Sequence, residues 1–229
     1  MRILFLHCAR EWSGTARAFA VAARGLAARG YNVTFLAEPH SSVEQSASRM
    51  ATVASRIGGD DPVAPKKDVA PFEVSAFSSD GLWLGAAWRL RHLFRRWDAD
   101  VVLVHTDREH LVAAFACWLG RRGKVLRRNP AGTQLSMTTT AKIASWLCDT
   151  TYLFASDVDV RKAQLPKGAK TSVARLGVDA SRYPDRIVAG QPKPEDIRYI
   201  ICVYDPTSRG RAATAIRTVS MLAPRHPYL

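Results

Sequence analysis

Residues 1–17 read MRILFLHCAREWSGTAR, and they begin an alternation of strand and helix. The uninterrupted apolar run at positions 3–6 is typical of a strand buried on both faces of a parallel sheet. An Ala-rich segment then keeps apolar residues at helical spacing up to Gly30, which suits the left-handed position that ends a helix. The pattern predicts a strand at 2–7, a polar loop at 8–14 and a helix at 15–29.

The same alternation continues along the chain. We predict further strands at 32–37, 71–77, 100–105, 125–128, 151–155 and 171–174, and helices at 43–57, 80–97, 111–119, 138–147 and 157–164. Such an order favours right-handed crossovers and a Rossmann-like, doubly wound parallel sheet of the α/β class. A tight turn at 176–179, a linker at 192–195, a strand at 198–203 and a helix at 212–222 complete the prediction.

Composition limits the classes of function. The 229 residues can bury one good core, or one and part of a second. No apolar run reaches the roughly 18 residues of a membrane span, and the N-terminus does not have the pattern of a signal peptide, so we expect a cytoplasmic location. The four cysteines are scattered without a C-x-x-C pair, so no zinc site is expected and a nucleophilic role for Cys8 is disfavoured.

The formal net charge of +13 favours anionic partners. Nucleotide diphosphates and anionic lipid headgroups are both candidates. Nucleic acid is not expected, because no zinc-finger, RNP-like or helix-turn-helix signature accompanies the charge.

The segment 80–97 predicts an amphipathic helix in which tryptophans and leucines repeat at steps of three and four residues, with arginines between them. Two interpretations stay open. The helix lies on an anionic membrane surface, at the inner face of the membrane, or it is a core helix with a solvated basic face.

The first loop contains candidate binding residues, because ligands of open parallel sheets sit beyond the carboxyl ends of the strands, against helix N-termini. Ser13, Gly14 and Thr15 stand at such an N-terminus, where free N–H groups attract phosphate. The alternative is structural, since any first strand and helix of an α/β domain has this shape. Neither G-x-G-x-x-G nor a P-loop is present, which disfavours a nicotinamide enzyme or an ATPase.

His105 ends the predicted strand 100–105, Asp107 follows it, and both face the same edge of the sheet. They are either acceptor-binding groups or ordinary polar residues at a strand end. A Ser-His-Asp hydrolase is poorly supported, because no G-x-S-x-G turn exists.

Four stretches carry a resemblance to family-4 glycosyltransferases of GT-B fold. Residues 12–17, Trp-Ser-Gly-Thr-Ala-Arg, resemble the family's Trp-Gly-Gly-x-Glu-Arg-like loop, with Ser13 for the first glycine and Ala16 for the glutamate. Residues 98–105 resemble its Pro-Asp-Val-Val-His strand, and residues 154–157 its Ala-Val-Ser-Glu strand end. Residues 175–184 resemble the Pro-Asn-Gly-Val-Asp…Phe-x-Pro run that closes the family's first domain.

The resemblance implies an N-terminal acceptor domain over residues 1–185. Residues 186–229 would then be a linker and the truncated start of the nucleotide-sugar-binding domain, whose Glu-x7-Glu motif is absent here. The implied activity is retaining transfer of a sugar from a nucleotide-sugar to a saccharide or lipid-linked acceptor, without a bound metal or cofactor. Arg209 and Gly210 match the family's Lys-Gly at the donor diphosphate.

Asn129 or Pro130 stands where the family often has a histidine beside the donor sugar. An amide can hydrogen-bond to a sugar hydroxyl, but it does not transfer protons at neutral pH. Because the implied donor domain is truncated, we expect little or no transfer activity from these 229 residues alone. The alternative is a non-catalytic, glycosyltransferase-like protein that binds a partner chain or a lipid headgroup. A Rossmann-like enzyme for another nucleotide has only the fold in its favour.

Overall fold

The computed structural model describes residues 1–52, 72–129, 135, 137–166, 168–175 and 209–222. The chain divides into two compact units, residues 1–179 and 180–229, which are described separately. Several predictions fall outside the described residues: the turn at 176–179, the domain boundary at 185, the linker at 192–195 and the strand at 198–203.

The first unit contains a seven-stranded parallel sheet with the strand order β3-β2-β1-β4-β5-β6-β7, which confirms the predicted doubly wound α/β fold. The strands are β1 Arg2–His7, β2 Asn32–Ala37, β3 Glu73–Ala76, β4 Val101–Val104, β5 Lys124–Arg128, β6 Thr150–Phe154 and β7 Lys170–Val173. The helices are α1 Gly14–Ala27, α2 Ser42–Thr52, α3 Trp83–Arg96, α4 Asp107–Gly120, α5 Thr139–Leu147 and α6 Asp157–Lys162.

Two apolar cores lie on opposite faces of the sheet. One joins β1 and β2 to α1 and α2 through residues such as Phe5, Phe19 and Val43. The other joins the opposite faces of β1 and β4 to α3 and α4 through residues such as Leu90 and Val112. The winding direction therefore reverses between β1 and β4, and this reversal is the point at which open α/β sheets place their ligands.

Most predicted boundaries agree with the structure to within a few residues, but helix α4 was predicted too short. It begins at Asp107 instead of position 111, because Thr106 and Glu109 form a capping box: the Thr106 hydroxyl accepts from the backbone N–H of Glu109 at 3.1 Å, and the Glu109 carboxylate accepts from the backbone N–H of Thr106. The motif T-x-x-E is present in the sequence at 106–109 and indicates the correct start, which the predicted bounds missed.

Helix α3 begins at Trp83, three residues later than predicted, because Gly81 is in the left-handed region with φ +85°. Its N-cap residue, Leu82, makes no side-chain capping bond.

In the second unit the structure describes helix α7, Arg209–Leu222, which contains the predicted helix 212–222. Ile216 and Met221 of this helix are exposed. None of the described helices is long and apolar enough to span a membrane.

Candidate functional site at the reversal of the sheet

Three side chains form a row across neighbouring strands at the carboxyl edge of the sheet. Phe5 pairs with Leu103 and Leu103 with Leu126, and two residues further along each chain stand His7, His105 and Arg128. All three contact the buried ring of Phe19 in α1: the imidazole centroids of His7 and His105 lie 5.7 and 5.6 Å from it, and the guanidinium carbon of Arg128 lies 5.7 Å from it.

Glu109 connects the ends of the two strands that carry His7 and His105. Its Oε1 accepts from the backbone N–H of Cys8 at 2.7 Å, and its Oε2 accepts from the backbone N–H groups of His105 and Thr106, both at 3.1 Å. Nδ1 of His105 lies 2.8 Å from the same Oε2. One carboxylate therefore joins the end of β1, the end of β4 and the first turn of α4.

The electrostatics favour an ionised carboxylate at Glu109 and a neutral imidazole at His7. Burial opposes ionisation of Glu109, but the contact with His105 and the backbone N–H groups outweigh it and bring its pKa to about 2. Burial, and then the neighbouring His105, lower the pKa of His7 to about 4. Nε2 of His7 is buried and has no hydrogen-bond partner among the described residues. The imidazole centroids of His7 and His105 lie 4.5 Å apart.

The predicted loop residues lie at the N-terminus of α1. Ser13 is the N-cap, and its hydroxyl accepts from the backbone N–H of Ala16 at 3.2 Å. Gly14 is exposed, and a Cβ at this position would meet no atom within 4 Å. Thr15 is half-buried. The loop is anchored to α2, because the backbone N–H of Trp12 donates to the Ser42 hydroxyl at 2.9 Å.

Cys8 begins this loop, and the sequence disfavours a nucleophilic role for it. Its thiol is largely enclosed, and burial together with the Glu109 charge raises its pKa far above the usual range. Such a thiol is not an activated nucleophile, and its backbone N–H serves instead as a donor to Glu109.

Asp107 faces the same edge, on the other face of the sheet from His105. Arg127 is buried and donates to Asp107 Oδ1, while Asp107 Oδ2 accepts from the Thr138 hydroxyl at 2.6 Å. The other guanidinium nitrogen of Arg127 lies 3.2 Å from Nδ1 of His110. Asp107 therefore has structural partners on both oxygens, and its predicted role in acceptor binding stays a prediction.

The same network fixes the tautomer of His110. Nε2 of His110 lies 3.0 Å from the Thr150 hydroxyl, which itself donates to the carbonyl of Cys148 at 3.2 Å. The hydroxyl proton is thus used, so Nε2 carries the imidazole proton and Nδ1 accepts from Arg127. Burial, and then the charge of Arg127, lower the pKa of His110 to about 3, which keeps the ring neutral.

Arg128 was not predicted as a site residue. It is half-buried, and within the described ranges no carboxylate lies at ion-pair distance from its guanidinium. Nearby charges have partners: Arg10 pairs with Asp80 at 2.7 Å, and Arg127 with Asp107. Burial lowers the pKa of Arg128, because a partly desolvated charge lacks the stabilisation that water gives it.

Asn129 is buried at the end of β5, and its backbone N–H donates to the carbonyl of Leu153 at 2.8 Å. Arg209 and Gly210 form the first turn of α7 in the second unit. Their predicted contact with a diphosphate, like the predicted role of Asn129, stays a prediction.

His7, His105 and Glu109 are the described residues whose possible metal-ligand atoms come together, all within 4.8 Å of one another. Two imidazoles and a carboxylate are a possible ligand set for zinc. Glu109, however, already accepts three backbone N–H groups, so the geometry fits a structural carboxylate better than a metal ligand.

A cleft of about 990 Å³ lies at the opposite, amino edge of the sheet. Its lining includes Trp118, Arg122 and Cys148, and none of the site residues above. The chemical groups of the candidate site therefore lie away from this cleft.

Comparison with solved structures supports the fold. The chain is similar to MurG from Acinetobacter baumannii, at 12% identity and a TM-score of 0.52 over 77% of this chain and 46% of that one. It is similar to Anabaena Alr3699/HepE, solved with UDP and glucose, at 13% identity and a TM-score of 0.54 over 93% and 50%. The galactosyltransferase WaaB, of the lipopolysaccharide outer core, matches at 11% identity and a TM-score of 0.50 over 86% and 51%.

The chain thus spans about half the length of these solved structures. No curated protein sequence matches it. The model of Glycosyltransferase Family 4 matches residues 12–127, which include the first loop, the His105 strand end and Arg127. This match covers just over half of the 229 residues, and the chain therefore belongs to glycosyltransferase family 4.

Proposed function

We propose that this chain contributes the acceptor-binding domain of a transferase that moves a sugar from a nucleotide-sugar to a saccharide or lipid-linked acceptor. The family and the fold support a glycosyltransferase. Retention of stereochemistry and the absence of a bound metal or resident cofactor remain part of the proposal, on the basis of the resemblance.

The observation that carries the proposal is Arg128, a half-buried cation with no carboxylate at ion-pair distance among the residues that the structure describes. A half-buried guanidinium without a carboxylate is stabilised when an anion binds to it. Arg128 contacts Phe19, as do His7 and His105. The N-terminus of α1 lies at the same edge of the sheet. We propose that Arg128 binds a phosphate group of a substrate there.

Phosphate reaches such a site from two sources, the diphosphate of a donor and a phosphorylated acceptor. Isothermal titration calorimetry of the 229-residue chain with UDP and with glucose 1-phosphate distinguishes the two sources. Glucose serves as the uncharged control. Binding of the sugar phosphate in preference to UDP is expected if this unit holds the acceptor.

The variant Arg128→Gln tests the residue directly. We expect it to weaken sugar-phosphate binding by about tenfold or more, because it removes a charge-assisted hydrogen bond. Arg29→Gln is the matched control, since Arg29 is an exposed arginine at the other end of α1. Equal affinities of the two variants would reject the role of Arg128.

The second candidate function is the non-catalytic binding protein, and the buried amide of Asn129 favours it. An amide cannot take the place of a proton-transferring histidine. Release of UDP from UDP-sugars in the presence of acceptor separates the two candidates. Acceptor-dependent release at enzymatic rates supports the transferase and rejects this alternative, whereas ligand binding without release supports the binding protein.

A further inference from the structure

The outer surface of helices α3, α4 and α5 exposes large apolar side chains. Leu84 and Trp88 on α3 are 48% and 51% exposed, Trp118 on α4 is 52% exposed, and Ile143 and Trp146 on α5 are 47% and 84% exposed. Helix α4 packs between the other two helices. We call these five side chains the α3–α5 face.

Ring contacts connect the helices beneath this face. Trp83 of α3 lies edge-to-face against Phe115 of α4, with ring centroids 5.2 Å apart, and Phe115 lies 5.4 Å from Trp118. Phe115 is only partly buried, so the outward side of α4 is apolar like its inward side. A helix at the surface of a domain normally presents polar residues outward.

The charged residues of helices α3 and α5 have one sign. Helix α3 contains four arginines and no carboxylate: Arg89, Arg91, Arg95 and Arg96. Helix α5 adds the exposed Lys142. The two carboxylates of α4, Asp107 and Glu109, are paired with Arg127 and His105.

One arginine also contacts a tryptophan of the face. The guanidinium carbon of Arg91 lies 4.7 Å from the ring centroid of Trp88. This arrangement places a cation beside an amphipathic ring, as at the level of lipid headgroups, where tryptophan rings bury their apolar body and arginines meet phosphate.

The other helical layer lacks this surface. Within the described ranges, α1 and α2 expose no large apolar side chain. The exposed tryptophans are therefore a property of one side of the sheet, and a flat, one-sided ligand explains such a distribution better than a ligand that encloses the domain.

We propose that the α3–α5 face docks onto the surface of a bilayer that contains anionic lipid. A second copy of the chain fits less well, because a symmetric contact would bring the arginines of α3 against the same arginines of the copy. The proposal does not depend on the transfer reaction.

Co-sedimentation of the 229-residue chain with vesicles tests the proposal. Vesicles of phosphatidylcholine with about one third phosphatidylglycerol are compared with phosphatidylcholine alone. We expect binding to the anionic vesicles, a blue shift of tryptophan emission, and weakening at high salt. Absence of binding to anionic vesicles, or equal binding to the neutral ones, would overturn the proposal.

Two pairs of variants locate the surface. Trp88→Ala with Trp146→Ala is expected to reduce partitioning by about tenfold or more, whereas Tyr31→Ala, an exposed aromatic residue after α1, leaves it unchanged. Arg95→Glu with Arg96→Glu is expected to reduce it by at least about tenfold, and Arg17→Glu with Arg29→Glu on α1 and just after it is the charge-matched control. Equal losses for test and control pairs would reject this face.

Sedimentation velocity without vesicles tests the remaining alternative, in which a second copy of the chain covers the α3–α5 face. A dimer that dissociates when Trp88 and Trp146 are replaced by alanine would assign the face to self-association and overturn the membrane proposal. All substituted residues are exposed, so circular dichroism is expected to show unchanged folding.

Discussion

The two helical layers differ on their outer sides although they cover one sheet. Helix α1 buries a row of alanines, Ala16, Ala20, Ala23 and Ala27, against the sheet, and neither α1 nor its neighbour α2 exposes a large apolar side chain within the described residues. Helices α3 to α5 bury an equally apolar inner side and expose three tryptophans. Folding constrains the inner side of each layer alike, so the difference between the outer sides reflects what the layers contact.

The largest expected difference in the free energy of unfolding is between replacing a buried aromatic residue of the first layer and replacing an exposed one of the second. Phe19→Ala removes a fully buried ring that contacts Phe5, His7 and His105, and we expect it to lower the free energy of unfolding by about 3–5 kcal/mol. Trp146→Ala, at 84% exposure, is expected to change it by less than about 0.5 kcal/mol. Urea denaturation measures both, and a large loss for Trp146→Ala would show that the outer side of α5 is part of the fold.

Acid is expected to destabilise the packing of both layers, because each contains a buried neutral histidine, His7 or His110. The pKa of His7 is about 4 and that of His110 about 3, both below the usual 6.5, so the unfolded chain binds protons that the folded chain does not. The free energy of unfolding therefore falls as the pH drops below about 6.5, by upper limits of roughly 3 kcal/mol for His7 and roughly 5 kcal/mol for His110. Glu109 adds a loss between about pH 4.5 and 2.

Urea denaturation at pH 7 and pH 5 checks this. His7→Gln is expected to reduce the pH dependence of the free energy of unfolding to the part that His110 contributes. His92→Gln, which replaces an exposed histidine of α3, is expected to leave it unchanged. If the slope is the same in all three proteins, the buried imidazole of His7 is not the source of the acid sensitivity.

A smaller effect tests how tightly the second layer packs. Gly123 has φ +89°, and a Cβ there would lie 2.7 Å from Cε1 of Phe94 and 3.2 Å from Sγ of Cys117. We expect Gly123→Ala to cost about 1–3 kcal/mol through strain and overpacking, measured by thermal denaturation. Gly14→Ala, where the Cβ meets open space, is the control, and equal losses would contradict the close contact.

The smallest effects concern the starts of α1 and α3. Ser13→Ala removes a capping bond and is expected to cost about 1 kcal/mol. Leu82→Ser supplies a hydroxyl at an N-cap that lacks one, and it is expected to stabilise by about 0.5–1 kcal/mol. Chemical denaturation of both variants gives the comparison, and shifts of the same sign would show that capping does not distinguish the two helices.

The sequence was sufficient for the strands and helices of the first unit, because buried parallel strands and amphipathic helices have distinct periods. It was sufficient for the position of Ser13, since an N-cap is a local feature. The contact between His7 and His105 was not predictable in the same way, because it depends on β1 and β4 being neighbours in the sheet although they lie almost a hundred residues apart.

The partners of the charged residues were also beyond the sequence pattern. Asp107 was predicted to face a ligand together with His105, but its partner Arg127 comes from the adjacent strand, and strand register decides that pairing. The amphipathic pattern of α3 indicated an apolar and basic helix. It did not indicate that Trp118 and Trp146 on two other helices extend the same surface.

Arg127 and Arg128 are adjacent in the chain, yet a strand sends successive side chains to opposite faces of its sheet. Arg127 is thereby committed to the Asp107 and His110 network, and Arg128 remains next to Phe19 without a carboxylate among the described residues. For protein engineering, this makes the doublet two independent positions. Substitutions at 128 are expected to leave the Asp107 and His110 network intact, whereas substitutions at 127 remove it.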